Sequence, residues 1–249
     1  VGNVRGHYER LAADFDGAWS FSPQFLSWMT DQILDRLAPH GRTVELAIDI
    51  GCGPGLYARG LAQRAHRVVC LDQLPEMLDQ LPAEPVYAPV RASVEELVAG
   101  RVQLPHNQFD AILVKDLIHH IADKAAAIAA LADLLRPNGR LLVVMLPTRV
   151  GYPLFDAALR RFEELQPDPA DIATMMRAAG LTTELAYDDF GLSFPRERYL
   201  GMVADRYLSI LSDFDDAELA AGIDEMTRRY PSGAFEFVDR LAFLTGIRP

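Results

Sequence analysis

The sequence predicts an open α/β fold, a seven-stranded and mostly parallel sheet with helices on both faces, and three observations predict it. Short apolar runs alternate with longer stretches of helical periodicity. One apolar run enters a glycine-rich turn with a helix directly behind it. The 249 residues are 50% hydrophobic and 24% charged, a balance that supports one full-sized core and excludes wholesale disorder.

The elements follow in order. Ser22 and Pro23 read as a cap and a first-turn proline, and Phe25, Met29, Ile33 and Leu37 recur at four-residue spacing until Gly41 closes the helix. Seven apolar runs then read as strands: 44–50, 67–71, 85–89, 109–114, 140–146, 181–190 and 235–247. A helix is expected at 56–65. Another is expected at 121–136, where Ile121, Ile128, Leu131 and Leu135 share a face before Pro137, Asn138 and Gly139 stop it. Between the last two strands, at about 191–230, Leu200, Val203, Tyr207 and Leu211 mark a helical insertion with Arg196, Arg198 and Arg206 beside it. Such an insert at the rim of an α/β sheet covers a ligand crevice or simply adds packing. The expected organisation is an N-terminal helical cap at 1–42, an α/β core at 43–190, a helical lid at 191–234, and a last core strand at 235–249.

Composition excludes several function classes. There are 35 acidic against 24 basic residues, a net charge of -11, and such a surface repels phosphate backbones, so no nucleic-acid partner is expected. Two cysteines, Cys52 and Cys70, are neither a disulfide framework nor a zinc site. No run of about 18 apolar residues occurs and residues 1–10 are polar, which predicts a soluble, cytoplasmic protein with no membrane partner. Oligomeric state is not legible.

The sharpest motif is the run from Val44 through Asp49 to Gly51, Cys52, Gly53, Pro54 and Gly55. Glycines at alternate positions free the backbone for positive φ and let a ligand reach the N–H groups of the following helix start. Two cofactors compete for this geometry. A dinucleotide wants G-x-G-x-x-G and an acidic residue about 20 positions on, and Asp72 meets the second requirement. The spacing here is G-x-G-x-G, and Asp49 just ahead of it opposes a pyrophosphate but suits a cationic amine. An adenosyl ligand that carries an amino acid fits both carboxylates.

At these residues the chain resembles the class I S-adenosylmethionine-dependent methyltransferases of small molecules, a Rossmann-like family, over about 44–146. The resemblance implies S-adenosyl-L-methionine as cofactor. It implies that Asp49, Gly51, Cys52, Gly53 and Gly55 hold the methionine part and Asp72 the ribose hydroxyls. Gln73 and Met77 fall where the family flanks ribose and adenine, and Ala92, Ser93 and Val94 at the adenine edge. The family often has Asp at the place of Ala92, so backbone amides or Ser93 are expected to do the recognising. The N-terminal segment at 7–16 is similar to the family's cap over the cofactor, with Tyr8 as its contact residue.

Residues 114–121 lie at the carboxyl end of the fourth strand. Lys115, one of only two lysines, can pair with Asp116 or with the methionine carboxylate. His119 is the candidate general base, since histidine titrates near neutral pH, and His120 reads as structural. Adjacent residues are expected to point different ways, and no third ligand for a metal is evident. Beyond the fifth strand, Tyr152 and Phe155 are candidates to line an acceptor pocket, with Arg198 as a candidate for an anionic group. The signature of base-methylating enzymes is missing at 115–118, which leaves a small acceptor with O, N or C as the methylated atom. A protein of the same fold that binds the cofactor for another purpose, and a nicotinamide-dependent oxidoreductase, are the alternatives.

Overall fold

The computed structural model describes residues 22–249, so Tyr8 and the first half of the expected cap lie outside the described residues. Ser22 accepts the Phe25 N–H at 3.0 Å, and Pro23 opens α1 (Pro23–Leu37) with the missing N–H where a helix needs none. The strands are β1 (Val44–Ile50), β2 (Ala65–Asp72), β3 (Tyr87–Arg91), β4 (Phe109–Lys115), β5 (Leu135–Met145), β6 (Thr182–Phe194) and β7 (Phe235–Ile247). They form one sheet in the order β3-β2-β1-β4-β5-β7-β6. The first five are parallel, and β7 runs antiparallel to both β5 and β6. Strand order reverses between β1 and β4, which opens a crevice at their carboxyl ends.

Both faces are apolar, as a buried parallel sheet requires. On one, Ile48, Ile50, Ile112 and Val143 pack under α4 (Val94–Val98), α5 (Lys124–Asp133) and α7 (Pro169–Ala178). On the other, Ala47, Cys70, Leu113 and Val144 meet Phe25, Met29 and Ile33 of α1. That second cluster continues into Tyr152, Phe155, Tyr199 and Met226, so the late helices rest on the same face as α1. Alternation along the strands therefore turns Asp49, Asp72 and Lys115 toward the α1 side.

Several expectations shift. The helix placed at 56–65 is only α2 (Ala58–Leu61), because turns occupy 51–57 and Ala65 already pairs with Val44. Instead of one helix at 121–136, a short 3-10 turn (Ile118–His120) precedes α5, which Asp123 caps by accepting the Ala126 N–H at 2.9 Å. Pro137, Asn138 and Gly139 lie inside β5 at a register shift rather than behind a helix. A Cβ on Gly139 would sit 2.7 Å from the Arg136 carbonyl oxygen, so only glycine fits there. β6 pairs with β7 through Phe194, so the insertion starts at Pro195 and not at 191.

That insertion holds α8 (Arg196–Ala204), a 3-10 turn (Ser209–Asp213) and α9 (Asp216–Arg229). Its apolar stripe is split, since α8 ends before the buried Tyr207 and Leu211. Two helices were not anticipated, α6 (Asp156–Leu165) and α7, the latter capped by Asp168. No helix among the described residues is long and apolar enough to cross a membrane.

Candidate functional site

The glycine turn is built by the backbone. Leu71 of β2 accepts the N–H groups of Gly51 and Cys52 at 2.8 and 3.0 Å, which pins the turn to the neighbouring strand. Gly51, Gly53 and Gly55 all have positive φ, at 71°, 53° and 83°. A Cβ on Gly51 would lie 2.8 Å from Leu117, and one on Gly55 would lie 2.3 Å from Leu81. Conformation and space both demand glycine at these two positions. The Cys52 thiol is raised by its hydrogen bond with Cys70 and by burial, so it packs beneath the turn as an inert group.

Asp49 ends β1 under this turn. It is 3% exposed, and its carboxylate makes no hydrogen bond or ion pair with another described residue. Burial, then the nearby Asp72, raise its carboxyl from 3.8 to about 7 against the pull of Lys115. A buried carboxylate without a donor is costly, and a cationic ligand relieves that cost. Asp72, at the end of β2, accepts N–H bonds from Gly53 at 3.0 Å and Leu74 at 2.9 Å, one on each oxygen. Burial raises its carboxyl while these backbone donors pull the other way. Each oxygen keeps a lone pair for a hydroxyl. Both carboxylates thus fit an adenosyl amino acid.

The expected adenine side is less open. Met77 is buried and Gln73 exposed, flanking Asp72. Ala92 and Val94 are buried beside β3. The amides assigned to recognition are engaged, however: Ala92 N–H donates to the Asp72 carbonyl at 3.0 Å, and Ser93 N–H to Glu96 at 2.9 Å. The Ser93 hydroxyl accepts the Glu96 N–H at 3.2 Å and closes a capping box that starts α4.

Lys115 and Asp116 pair with each other at the mouth of β4. Asp116 takes a left-handed φ of 53°, which turns the chain out of the strand. The Lys115 ammonium also sits 4.7 Å from the centre of the Tyr57 ring. Burial alone would lower it, but Asp116, the Tyr57 hydroxyl and Asp239 together raise it, so it stays charged. His119 and His120 do not diverge as expected. Their 3-10 turn brings the two rings together, centroids 3.9 Å apart and planes tilted by 50°. Burial, then nearby Lys124 and Lys115, lower His119 to about 4, and burial, then His119, lower His120 to about 3, so both imidazoles are neutral at pH 7.

On the acceptor side the candidates separate. Tyr152 is buried and its hydroxyl donates to Asp239 Oδ1 at 2.5 Å. Phe155 is buried against Phe214, ring centroids 5.1 Å apart, and Gly222 of α9 leaves it room. Arg198 is exposed, with its guanidinium 5.6 Å from the Phe194 ring centre. Sequence reasoning missed Tyr57, which follows the glycine turn, and Asp239, which follows Phe235 and Phe237 on β7. The signal for Asp239 was a single charge in a row of alternating apolar residues.

A family model described as a methyltransferase domain matches residues 48–143. A ubiquinone biosynthesis O-methyltransferase of Xanthomonas axonopodis pv. citri is 30% identical over 165 residues, which cover 60% of this chain and 66% of that one. An uncharacterized methyltransferase of Mycobacterium bovis is 33% identical over 118 residues, 47% of this chain and 58% of that one. The chain thus spans less than two thirds of these relatives. Among solved structures, the N-methyltransferase NodS of Bradyrhizobium japonicum in complex with S-adenosyl-L-homocysteine has a TM-score of 0.61 at 17% identity, covering 99% of both chains. The glycine turn and the two carboxylates beside it, Asp49 and Asp72, all fall within the residues that the methyltransferase-domain model matches, so over this segment the chain is similar to methyltransferases.

Proposed function

We propose that the protein transfers the methyl group of S-adenosylmethionine to a small-molecule acceptor. The observation that carries this reading is the carboxylate of Asp49, buried beneath a glycine turn with no donor among the described residues, and Asp72 at the adjacent strand end. When bound, the cofactor supplies a methyl group on a sulfonium, open to in-line displacement. Asp49 and the turn hold the methionine end through its cationic amine. Asp72 takes the ribose hydroxyls, and Gln73, Met77, Ala92, Ser93 and Val94 border the base. Lys115 and Asp116 orient the loop between the cofactor and the acceptor. Little bond chemistry falls to side chains, since alignment of donor and acceptor alone supplies about 7–11 kcal/mol in favourable systems.

Where the acceptor loses a proton, His119 is the group we assign to take it, held neutral by its burial. Tyr152 and Phe155 form the wall behind the acceptor. The net charge of -11 favours a small metabolite over a nucleic acid. The same reading puts the reaction in the cytoplasm, in keeping with the free thiols of Cys52 and Cys70.

Calorimetric titration with S-adenosylmethionine, S-adenosylhomocysteine and NADH tests the reading, with Asp72→Ala as control. Micromolar binding of the first two, lost in the variant, is expected. Binding of NADH alone, or of none of the three, overturns it. Cofactor binding with no methylated product from any acceptor in a mass-detected panel would instead favour a non-methylating role on the same fold.

A further inference from the structure

β7 carries one charge in a row of large apolar side chains. Phe235, Phe237, Asp239, Leu241 and Phe243 alternate along one face, and Asp239 is 2% exposed. The last pairing of β5 with β7 is Met145 with Ala242, while β6 continues to pair with β7 as far as Phe235. The first half of β7 therefore stands above the carboxyl edge of the sheet as a wall beside the crevice.

Three phenols gather on that wall. Tyr152 donates to the Asp239 carboxylate, and the Tyr199 and Tyr207 hydroxyl oxygens lie 3.1 Å apart. The Tyr199 ring centre is 4.8 Å from that of Phe235 and 5.4 Å from that of Phe237, and Tyr152 lies 5.1 Å from Phe237. Among the described residues the cation coupled to Asp239 is Lys115, which already pairs with Asp116, so these three charges leave one negative charge on the wall. Burial raises the Asp239 carboxyl to about 6 against the Tyr152 hydrogen bond and Lys115, which leaves it ionised at neutral pH.

Packing alone would place an apolar side chain at position 239. A carboxylate among ring faces and phenol oxygens is instead the chemistry that recognises an alkylammonium: charge to charge, N–H to oxygen, and cation to ring face. Lys115 ends β4 between the end of β1, where Asp49 lies, and the end of β5, beside which β7 runs, so this wall stands along the same carboxyl edge as the methyl donor's place.

We propose that Asp239 is the acceptor-anchoring residue, within the wall of Tyr152, Tyr199, Tyr207, Phe235 and Phe237, and that the acceptor carries a basic amine. The proposal rests on the methyltransferase reading. Because these side chains are buried, with Tyr199 on α8 itself, the acceptor enters when the α8–α9 cover lifts.

The test is calorimetry on the protein saturated with S-adenosylhomocysteine, using phenethylamine, its neutral isostere 2-phenylethanol, phenylacetate, and the propyl analogues of all three. An amine preferred over its alcohol by about tenfold or more is expected, with that preference lost in Asp239→Asn and S-adenosylhomocysteine affinity unchanged. Should Asp239→Asn not fold, wild type decides it: the preference should fade between pH 7 and pH 5 as the Asp239 carboxyl is protonated while the amine stays charged, and a preference undiminished at pH 5 overturns the proposal. Equal binding of amines and alcohols, a preference that survives Asp239→Asn, or no amine binding to the loaded protein overturns the proposal. Failure to bind S-adenosylhomocysteine would sink the underlying reading instead.

Discussion

Replacing Asp49 by Asn removes a charge that the fold holds at a cost. The carboxyl rises from 3.8 to about 7, chiefly through burial, so the native state binds this proton more tightly than the unfolded chain. Stability therefore falls as pH climbs from about 4 to about 7, and above that window the ionised group costs roughly 4 kcal/mol relative to a neutral isostere. Without cofactor, Asp49→Asn should be more stable than wild type at pH 8 by an amount of this order. In a domain this size that is about 10 °C in melting temperature. Near pH 4 the two proteins should melt together, since Asp49 is then protonated too. On the proposed reading the same charge binds the cofactor's amine, so wild-type affinity for S-adenosylmethionine should weaken about tenfold from pH 8 to pH 6 as the ionised fraction drops. The assays are thermal melts and calorimetry across pH. A variant no more stable than wild type at pH 8, or stabilised equally at pH 4, would refute the reasoning that burial raises this carboxyl.

Three other perturbations follow from the same geometry. Gly55→Ala should lose about 1–3 kcal/mol of stability and most cofactor affinity, because φ is 83° and Leu81 fills the space; unchanged urea midpoint and binding would contradict it. Asp72→Asn keeps an acceptor for one backbone N–H but not both, so S-adenosylhomocysteine affinity should fall more than tenfold by calorimetry. His119→Ala should lower turnover about 10²-fold on an acceptor that must lose a proton. Wild type should show no rate limb from this imidazole between pH 6 and 8, since its pKa is about 4. Near-normal turnover of the variant at every pH would remove His119 from the mechanism.

The glycine turn and the carboxylates beside it were legible in the sequence because their signals are local. Asp49, the three glycines and Asp72 sit at strand ends whose apolar runs announce themselves, and the turn's need for positive φ restricts the residue type. The stripe of α1 and the two long antiparallel strands were legible for the same reason, a period that neighbouring residues reveal. Local patterns misjudged what long-range pairing decides. The start of β2 at Ala65 shortens the helix after the turn, and the β6–β7 ladder carries the sheet to Phe194.

The proposed acceptor wall is almost wholly tertiary. Arg198 looked placed for an anion and lies exposed over Phe194, while Asp239, of which the sequence raised no expectation, is buried. Tyr152 and Asp239 are 87 residues apart. They meet because β7 inserts antiparallel beside β5 and outruns it, which brings its first half over the carboxyl edge where Lys115 ends β4. Composition, periodicity and turn chemistry thus determined the fold class and the place of the glycine turn with its carboxylates. Strand order and register, set by contacts between distant segments that no local pattern encodes, decided which charges face one another across the crevice.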